Sequence, residues 1–268
     1  MRPWRLIIDP PREGGLNMAI DQGLLLDAER ADEPRTVLRI YRWSAPTLSL
    51  GYGQKPEEVA DLEVCRRRGV SLVRRPTGGR AVLHDCEMTY AVLSNDPECF
   101  PMASRMETYR RIAQALRYAL QEVGVSAVFE EGAGRPGAAA RAGGENYLRQ
   151  RTPCFTSPAR YELLCRGRKI IGSAQRRLRR AFLQHGSLLL DCDYPLLAAV
   201  TRTEEDYLRR RVTSLQAERG RRVAEAEAET ALLVGFEQQF GVIWTPQAVA
   251  DAELAAAQTA APAFVVRD

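Results

Sequence analysis

The alternation of apolar and polar positions divides the chain into short strands and amphipathic helices. Trp4 to Asp9 is an apolar run that predicts a first strand, and Pro10, Pro11, Gly14 and Gly15 turn the chain out of it. From Asn17 to Arg30, Met18, Ile20, Leu24 and Leu25 recur at helical spacing, with Asn17 placed to cap the helix. Thr36 to Trp43 and Thr47 to Leu50 read as two strands joined at Pro46. A short helix over Pro56 to Arg68 ends at Gly69, and Val70 to Val73 is a strand. Beyond the turn at Arg74 to Arg80, Ala81 to Leu83 and Met88 to Ser94 are expected to pair with each other. Ser104 to Gly124 is the clearest helix, with Met106, Tyr109, Ile112, Leu116 and Leu120 on one face and Gly124 as its stop signal.

Gly132 to Gly144 is nearly all Gly, Ala, Arg and Pro, which buries little apolar surface and predicts a mobile surface loop. Strands at Tyr161 to Cys165, Lys169 to Ala174 and Phe182 to Leu190 follow. The last third is helical: Tyr207 to Arg211, Arg222 to Phe240, and an Ala-rich tail from Pro246. Strands mingled with helices, without a regular βαβ rhythm, predict an α+β fold with a mixed or antiparallel sheet.

Composition narrows the class. The 268 residues suffice for one full core, so a single domain over 1–268 is expected. With 45% hydrophobic and 27% charged residues the chain is ordinary for a globular protein and too polar for an integral membrane one. Apolar runs such as Leu196 to Val200 fall far short of the roughly 20 residues a membrane helix needs. The N-terminus has too short an apolar stretch for a secretory signal, so the cytoplasm is the expected compartment and no membrane partner is expected. Six cysteines without a C-x-x-C pair suggest neither a zinc site nor a disulfide framework, and two histidines, His84 and His185, argue against a histidine-built metal centre. The net charge is +4, and among 38 basic residues only Lys55 and Lys169 are lysine. Each therefore draws inspection, because lysine alone of the two offers an amine whose proton affinity can be tuned.

Three segments carry candidate chemistry. In Arg74-Arg75-Pro76-Thr77-Gly78-Gly79-Arg80-Ala81-Val82-Leu83-His84-Asp85, two glycines let backbone N–H groups approach a ligand, and two arginines ahead of them can meet an anionic or polar head group. An ordinary glycine-rich hairpin turn explains the same pair, and the pattern fits neither a P-loop nor a dinucleotide fingerprint. In Gly167-Arg168-Lys169-Ile170-Ile171-Gly172-Ser173-Ala174-Gln175, a strand opened by Lys169 would place Ile171, Ser173 and Gln175 on its side, as a cleft wall or as an exposed strand face. In Thr152-Pro153-Cys154-Phe155-Thr156-Ser157-Pro158, two prolines argue for a rigid, extended loop that presents Cys154. A thiolate there, beside an ammonium, can attack acyl thioesters near neutral pH. Cys165 and His185 read as packing and sheet support.

The glycine segment followed, after a helix, by the Lys169 segment resembles the lipoate-protein ligase and octanoyltransferase superfamily, over roughly residues 30 to 245. That resemblance implies a biotin/lipoate-protein ligase fold, related to class II aminoacyl-tRNA and biotin synthetases, with a mixed sheet, flanking helices and a ligand tunnel. The substrate-binding residues it implies are Arg75, Thr77, Gly78, Gly79, Ala81, Val82, His84, Gly172, Ser173 and Ala174. ATP-dependent ligases of the superfamily commonly carry an extra C-terminal domain, for which about 80 residues after His185 are too few. Pro153-Cys154-Phe155 with Tyr161-Glu162-Leu163 and Gly167-Arg168-Lys169 looks like the cysteine-dependent octanoyltransferases. The resemblance then implies Cys154 as acyl-thioester nucleophile and Lys169 as the group that acidifies it and transfers protons, with no cofactor and no metal. Arg80 stands where many ATP-using ligases have a third glycine, which favours the ATP-independent branch. The resemblance implies octanoyl-acyl carrier protein as donor and the glycine cleavage H protein (GcvH) or another lipoyl domain as acceptor, or, as in a related amidotransferase, octanoylated H protein as donor to other lipoyl domains; the enzyme is expected as a monomer. Both partners are usually acidic, and Arg176-Arg177-Leu178-Arg179-Arg180 and Arg209-Arg210-Arg211 could steer them. The same runs lack interleaved aromatics, so nucleic acid is not an expected partner.

Overall fold

A computed structural model describes residues 3–130 and 161–266 of the chain. Its backbone is a six-stranded mixed sheet. In spatial order the strands are β10 (Ile171–Arg177), β11 (Phe182–Leu189), β6 (Glu87–Ser94), β2 (Thr36–Tyr41), β1 (Pro3–Ile8) and β12 (Ile243–Pro246). β1 is parallel to both its neighbours and the other pairings are antiparallel. β2 and β6 are buried along their whole lengths, so their sequences are rich in β-branched, aliphatic and aromatic residues on both faces.

Alternation of side chains gives this sheet two apolar faces. One carries Trp4, Leu38, Ile40, Tyr90, Val92 and Phe182 and packs on α4 (Arg105–Glu122) and α8 (Glu225–Phe240). The other carries Ile7, Val37, Ala91, Leu93 and Leu183 against α1 (Gly14–Arg30), which is backed by α9 (Asp251–Ala260). A second sheet of order β4 (Ser71–Arg74), β3 (Thr47–Leu50) and β5 (Val82–His84) lies beside α1, with α5 (Tyr194–Thr201) and α6 (Glu205–Arg211) on its outer side. A third joins β7 (Val128–Phe129), β8 (Leu163–Cys165) and β9 (Arg168–Lys169). The β8–β9 hairpin closes over Arg166 and Gly167, both left-handed at φ 51° and 76°, the geometry of a two-residue type I′ turn.

The architecture is the expected α+β class with a mixed sheet, and α4 ends at Glu122 ahead of Gly124, whose φ of 68° suits a glycine stop. Elsewhere local signals yield to tertiary demands. α1 starts at Gly14, and Asn17 lies inside it rather than at its cap. The Asn17 amide donates to the carbonyls of Arg12 (3.3 Å) and Arg42 (3.0 Å), tethering the ends of two strands. The helix expected over Pro56 to Arg68 splits into α2 (Pro56–Val59) and α3 (Leu62–Arg67), because Asp61 takes the N-cap position and accepts from the N–H of Val64 at 3.0 Å. β5 and β6 do not pair with each other: β5 joins β3 in the second sheet and β6 lies inside the large one. The strand expected from Lys169 to Ala174 breaks at Ile170 into β9 and β10, which belong to different sheets. The loop expected over residues 132–144 and the Cys154 segment lie outside the described residues. Among the described residues no helix is long and apolar enough to cross a membrane.

Candidate functional site

A narrow cavity opens where β10, β11, β6 and β2 face α1 and the second sheet. Its floor is one cross-strand row, Gly172–Ser187–Thr89–Tyr41, each residue paired with the next across β10, β11, β6 and β2. Three strand spacings make that row about 14 Å long. Ala174 and His185 form part of the adjacent row, Ser49, Val82 and His84 come from β3 and β5, Met18 from α1, and Trp43 and Arg75 from the loops after β2 and β4. The accessible lining is almost entirely apolar, because its polar atoms are committed to partners in the surrounding shell.

Two networks do this. The His84 ring stacks on Trp43 at 3.9 Å, with Nε2 2.7 Å from Ser49 Oγ and Nδ1 3.1 Å from Ser187 Oγ and 3.3 Å from Glu87 Oε1. Burial pulls the imidazole below its ordinary 6.5, with Glu87 opposing and Arg75 assisting, so His84 is neutral at neutral pH. In the second network His185 Nε2 lies 2.7 Å from Thr77 Oγ1 and its Nδ1 lies 3.0 Å from Asp21 Oδ2. The fully buried Arg39 donates to Asp21 (2.7 Å) and Asp9 (2.7 Å), and Tyr41 Oη donates to Asp21 at 2.9 Å. Burial pushes the Asp21 carboxyl up, but Arg39 and His185 outweigh it and hold the group below its usual range. Burial and the Asp21 charge raise the Tyr41 phenol well above its ordinary value, so it stays a neutral donor.

Of the residues implied by sequence, Arg75, Val82, His84, Gly172, Ser173 and Ala174 line the cavity. Thr77 reaches it through His185, whereas Gly78, Gly79 and Ala81 are not part of its lining. Arg75 donates to the carbonyls of Ser49 (2.9 Å), Gly78 (2.8 Å) and Arg80 (2.7 Å), and Arg74 to those of Gly51, Tyr52 and Gln54, so both arginines shape the glycine loop. Gly79 needs its glycine because its φ is 92°, and Gly51 needs one because a Cβ there would lie 2.0 Å from the Gly79 carbonyl oxygen.

Lys169 is not on an exposed strand face; it is 1% exposed, and its Nζ lies 2.6 Å from Glu162 Oε1. Ile171, Ser173 and Gln175 do not form a cleft wall with it, because the chain changes sheet at Ile170. Their side chains point to the α4 side, where Ser173 Oγ meets Tyr90 Oη at 2.7 Å and Gln175 donates to Gln184 at 3.1 Å, although Ser173 is also part of the cavity lining. The cleft face of β10 is that of Gly172 and Ala174. Lys169 is three residues before Gly172, so their Cα atoms are within about 11 Å along the chain. Burial pushes the thiols of Cys65 and Cys86 up to about 11 and those of Cys165 and Cys192 up to about 12, and Cys165 packs in the core as expected. Among the described residues no cluster of three His, Cys, Asp or Glu is arranged to hold a metal ion.

Sequence reasoning missed Glu162, Met18, Tyr41, Trp43, Ser49, Thr89 and Ser187, and gave His185 only sheet support. The signal for His185 and Ser187 was strand alternation opposite Gly172 and Ala174; the others depend on long-range contacts with no local signature.

A mixed sheet that faces a glycine-loop sheet across an apolar cavity is a lipoate-ligase type of fold. Two solved structures share it: lipoate-protein ligase A bound with ATP (TM-score 0.75, 24% identity, 97% of this chain and 95% of that one) and the T. acidophilum protein Ta0514, a putative lipoate protein ligase with bound lipoic acid (0.73, 24%, 96% and 94%). The chain itself belongs to the lipoyl protein ligase A/B catalytic domain family, which it matches over residues 13–237. Relatives include the proteins named Octanoyltransferase LipM of Kyrpidia tusciae, 39% identical over 258 residues covering 92% of this chain and 90% of that one, and of Symbiobacterium thermophilum, 39% identical over 264 residues covering 96% and 93%.

Proposed function

We propose that the chain is an ATP-independent octanoyltransferase of lipoate biosynthesis, a single catalytic unit that carries the acyl group on Cys154 with Lys169 beside it. The observation that carries this reading is the apolar cavity floored by Gly172, Ser187, Thr89 and Tyr41, with a buried lysine three residues from its Gly172 end. A medium-length alkyl chain suits that lining, and its carbonyl would lie toward Lys169. The name of the LipM relatives points the same way. The high thiol values of Cys65, Cys86, Cys165 and Cys192 make those four poor thiolate sources.

In the first half-reaction the Cys154 thiolate attacks the thioester of octanoyl-acyl carrier protein. A C–S bond forms to Cys154, the bond to the carrier's thiol breaks, and the departing thiolate takes a proton from the Lys169 ammonium. In the second, a lysine amine of the H protein attacks the octanoyl-cysteine. A C–N bond forms, Cys154 leaves as thiolate, and the one proton lost by the acceptor nitrogen returns to Lys169. Thioester-to-thioester exchange is nearly isoenergetic and amide formation is downhill, so no nucleotide is needed. Backbone N–H groups at Gly78, Gly79 or Gly172 are the candidate oxyanion donors.

Transfer from octanoyl-H protein to another lipoyl domain uses the same machinery and differs only in the donor, whereas an ATP-dependent ligase would release pyrophosphate from free octanoate or lipoate and tolerate loss of Cys154. In the proposed enzyme Cys154→Ala neither acquires nor transfers octanoyl, read by mass spectrometry of enzyme and acceptor. Transfer by that variant would sink the cysteine relay. Lys169→Arg keeps the charge but cannot give up a proton, so kcat falls by about 100-fold or more; a wild-type kcat would contradict the role of Lys169.

A further inference from the structure

We infer that Glu162 is a positioning residue of the transferase: its carboxylate pairs with the Lys169 amino group and keeps that nitrogen aimed through both half-reactions. The inference rests on the role proposed for Lys169 and extends it to a residue with no part in that scheme.

Both partners are buried, Lys169 at 1% and Glu162 at 6% exposure, and their closest atoms are 2.6 Å apart. Their backbones are pinned independently. The Glu162 carbonyl accepts from the N–H of Glu130 at 2.8 Å, and the Lys169 carbonyl accepts from the N–H of Thr213 at 3.0 Å. The tight β8–β9 turn fixes the distance between them, pairing Leu164 with Lys169. Removing two charges from water is expensive, and such a pair commonly stabilises a fold no better than apolar side chains of the same shape. A functional reason for it is therefore in order. An ammonium this deep without a counter-ion gives up its proton, and a neutral amine can neither stabilise a thiolate nor protonate a departing one.

Other titratable groups among the described residues lie around Glu162. Tyr90, from β6, feels its charge, but burial first of all raises that phenol to about 12 and keeps it neutral. Arg168 and Arg166, on the same hairpin, face Glu218 of α7 (Leu215–Arg219) at 2.7 and 3.5 Å. Glu130 meets Glu162 through its backbone. Lys169 loses a proton to the carrier thiolate and regains one from the acceptor nitrogen, while Glu162 holds the lysine nitrogen in place.

The test is the pH profile of Cys154 alkylation by iodoacetamide, read on the Cys154 peptide by mass spectrometry, together with kcat and KM for octanoyl-acyl carrier protein. It compares the full-length wild type with Glu162→Gln and Glu162→Asp. In Glu162→Gln the alkylation midpoint moves up by about one pH unit or more, and kcat falls by about tenfold or more while KM changes much less. Glu162→Asp, which keeps the charge one methylene short, recovers part of both, and it carries the test alone if the Gln variant does not fold. A midpoint that stays put or moves down in a wild-type-like fold overturns the inference. A wild-type enzyme whose Cys154 takes no octanoyl from the carrier overturns instead the reading on which it rests, so the two failures are told apart.

Discussion

His84 shows how a single residue can serve a cavity without touching chemistry. Its ring is sandwiched against Trp43, both nitrogens face oxygens of Ser49, Ser187 and Glu87, and burial keeps it neutral. Because its value in the folded protein lies below the ordinary 6.5, the unfolded chain binds that proton first as the pH falls. Its contribution to stability is therefore present above 6.5 and lost progressively below it. Asp21 behaves as a depressed carboxylate, contributing above its ordinary 3.8 and losing that contribution only as the pH falls through its still lower folded value. The thermal midpoint should thus drop between about pH 7 and pH 5, and His84→Gln should flatten that slope. Equal slopes in the two proteins would show that His84 does not set it. The sequence singled out His84 by its place after the glycine loop, but it could not reveal that Arg75 would turn to the loop's own carbonyls. That choice depends on β3, a distant segment whose Ser49 carbonyl competes for the guanidinium.

At the scale of elements, β10 and β11 approach closely at a glycine beside the cavity. A Cβ on Gly186 would lie 2.4 Å from the carbonyl oxygen of Gly172 and 2.8 Å from Tyr90, so only glycine allows this pairing. At the other end of the floor Tyr41 is fixed by its bond to Asp21, which leaves Met18 of α1 as the unbranched apolar side chain there. Burying one more methylene gains about 0.8 kcal/mol where room exists. Met18→Ala should accordingly shift the preference from octanoyl toward decanoyl or dodecanoyl carriers, read as kcat/KM across the series. An unshifted optimum would place the chain's far end elsewhere. Periodicity identified α1 and α4 readily, since a helix writes its apolar face at regular spacing. It failed at β9 and β10, where six consecutive strand-like residues cross from one sheet to another at Ile170, because a change of partner strand has no local signature.

Across the whole molecule, the class of fold was legible from the mixture of strands and helices, and the order of the glycine and lysine segments pointed to the family. Surface function was less so. Arg176 and Arg177 are half-buried and donate to the carbonyls of Pro76 and Met102, and Arg209 pairs with Glu205 at 2.6 Å, so the runs are not simply free cationic patches for acidic partners. Long arginine side chains cover apolar surface and satisfy carbonyls as well as carrying charge. Under the proposed function, the cavity, Lys169 and the LipM relatives would be united by an acyl group passed through the enzyme without nucleotide. The most direct measurement of that is the intact mass of the purified protein after mixing with octanoyl-acyl carrier protein in the absence of ATP. The account predicts a gain of one octanoyl group, lost when Cys154 is replaced and discharged on adding H protein; a mass that stays unchanged over time would contradict it.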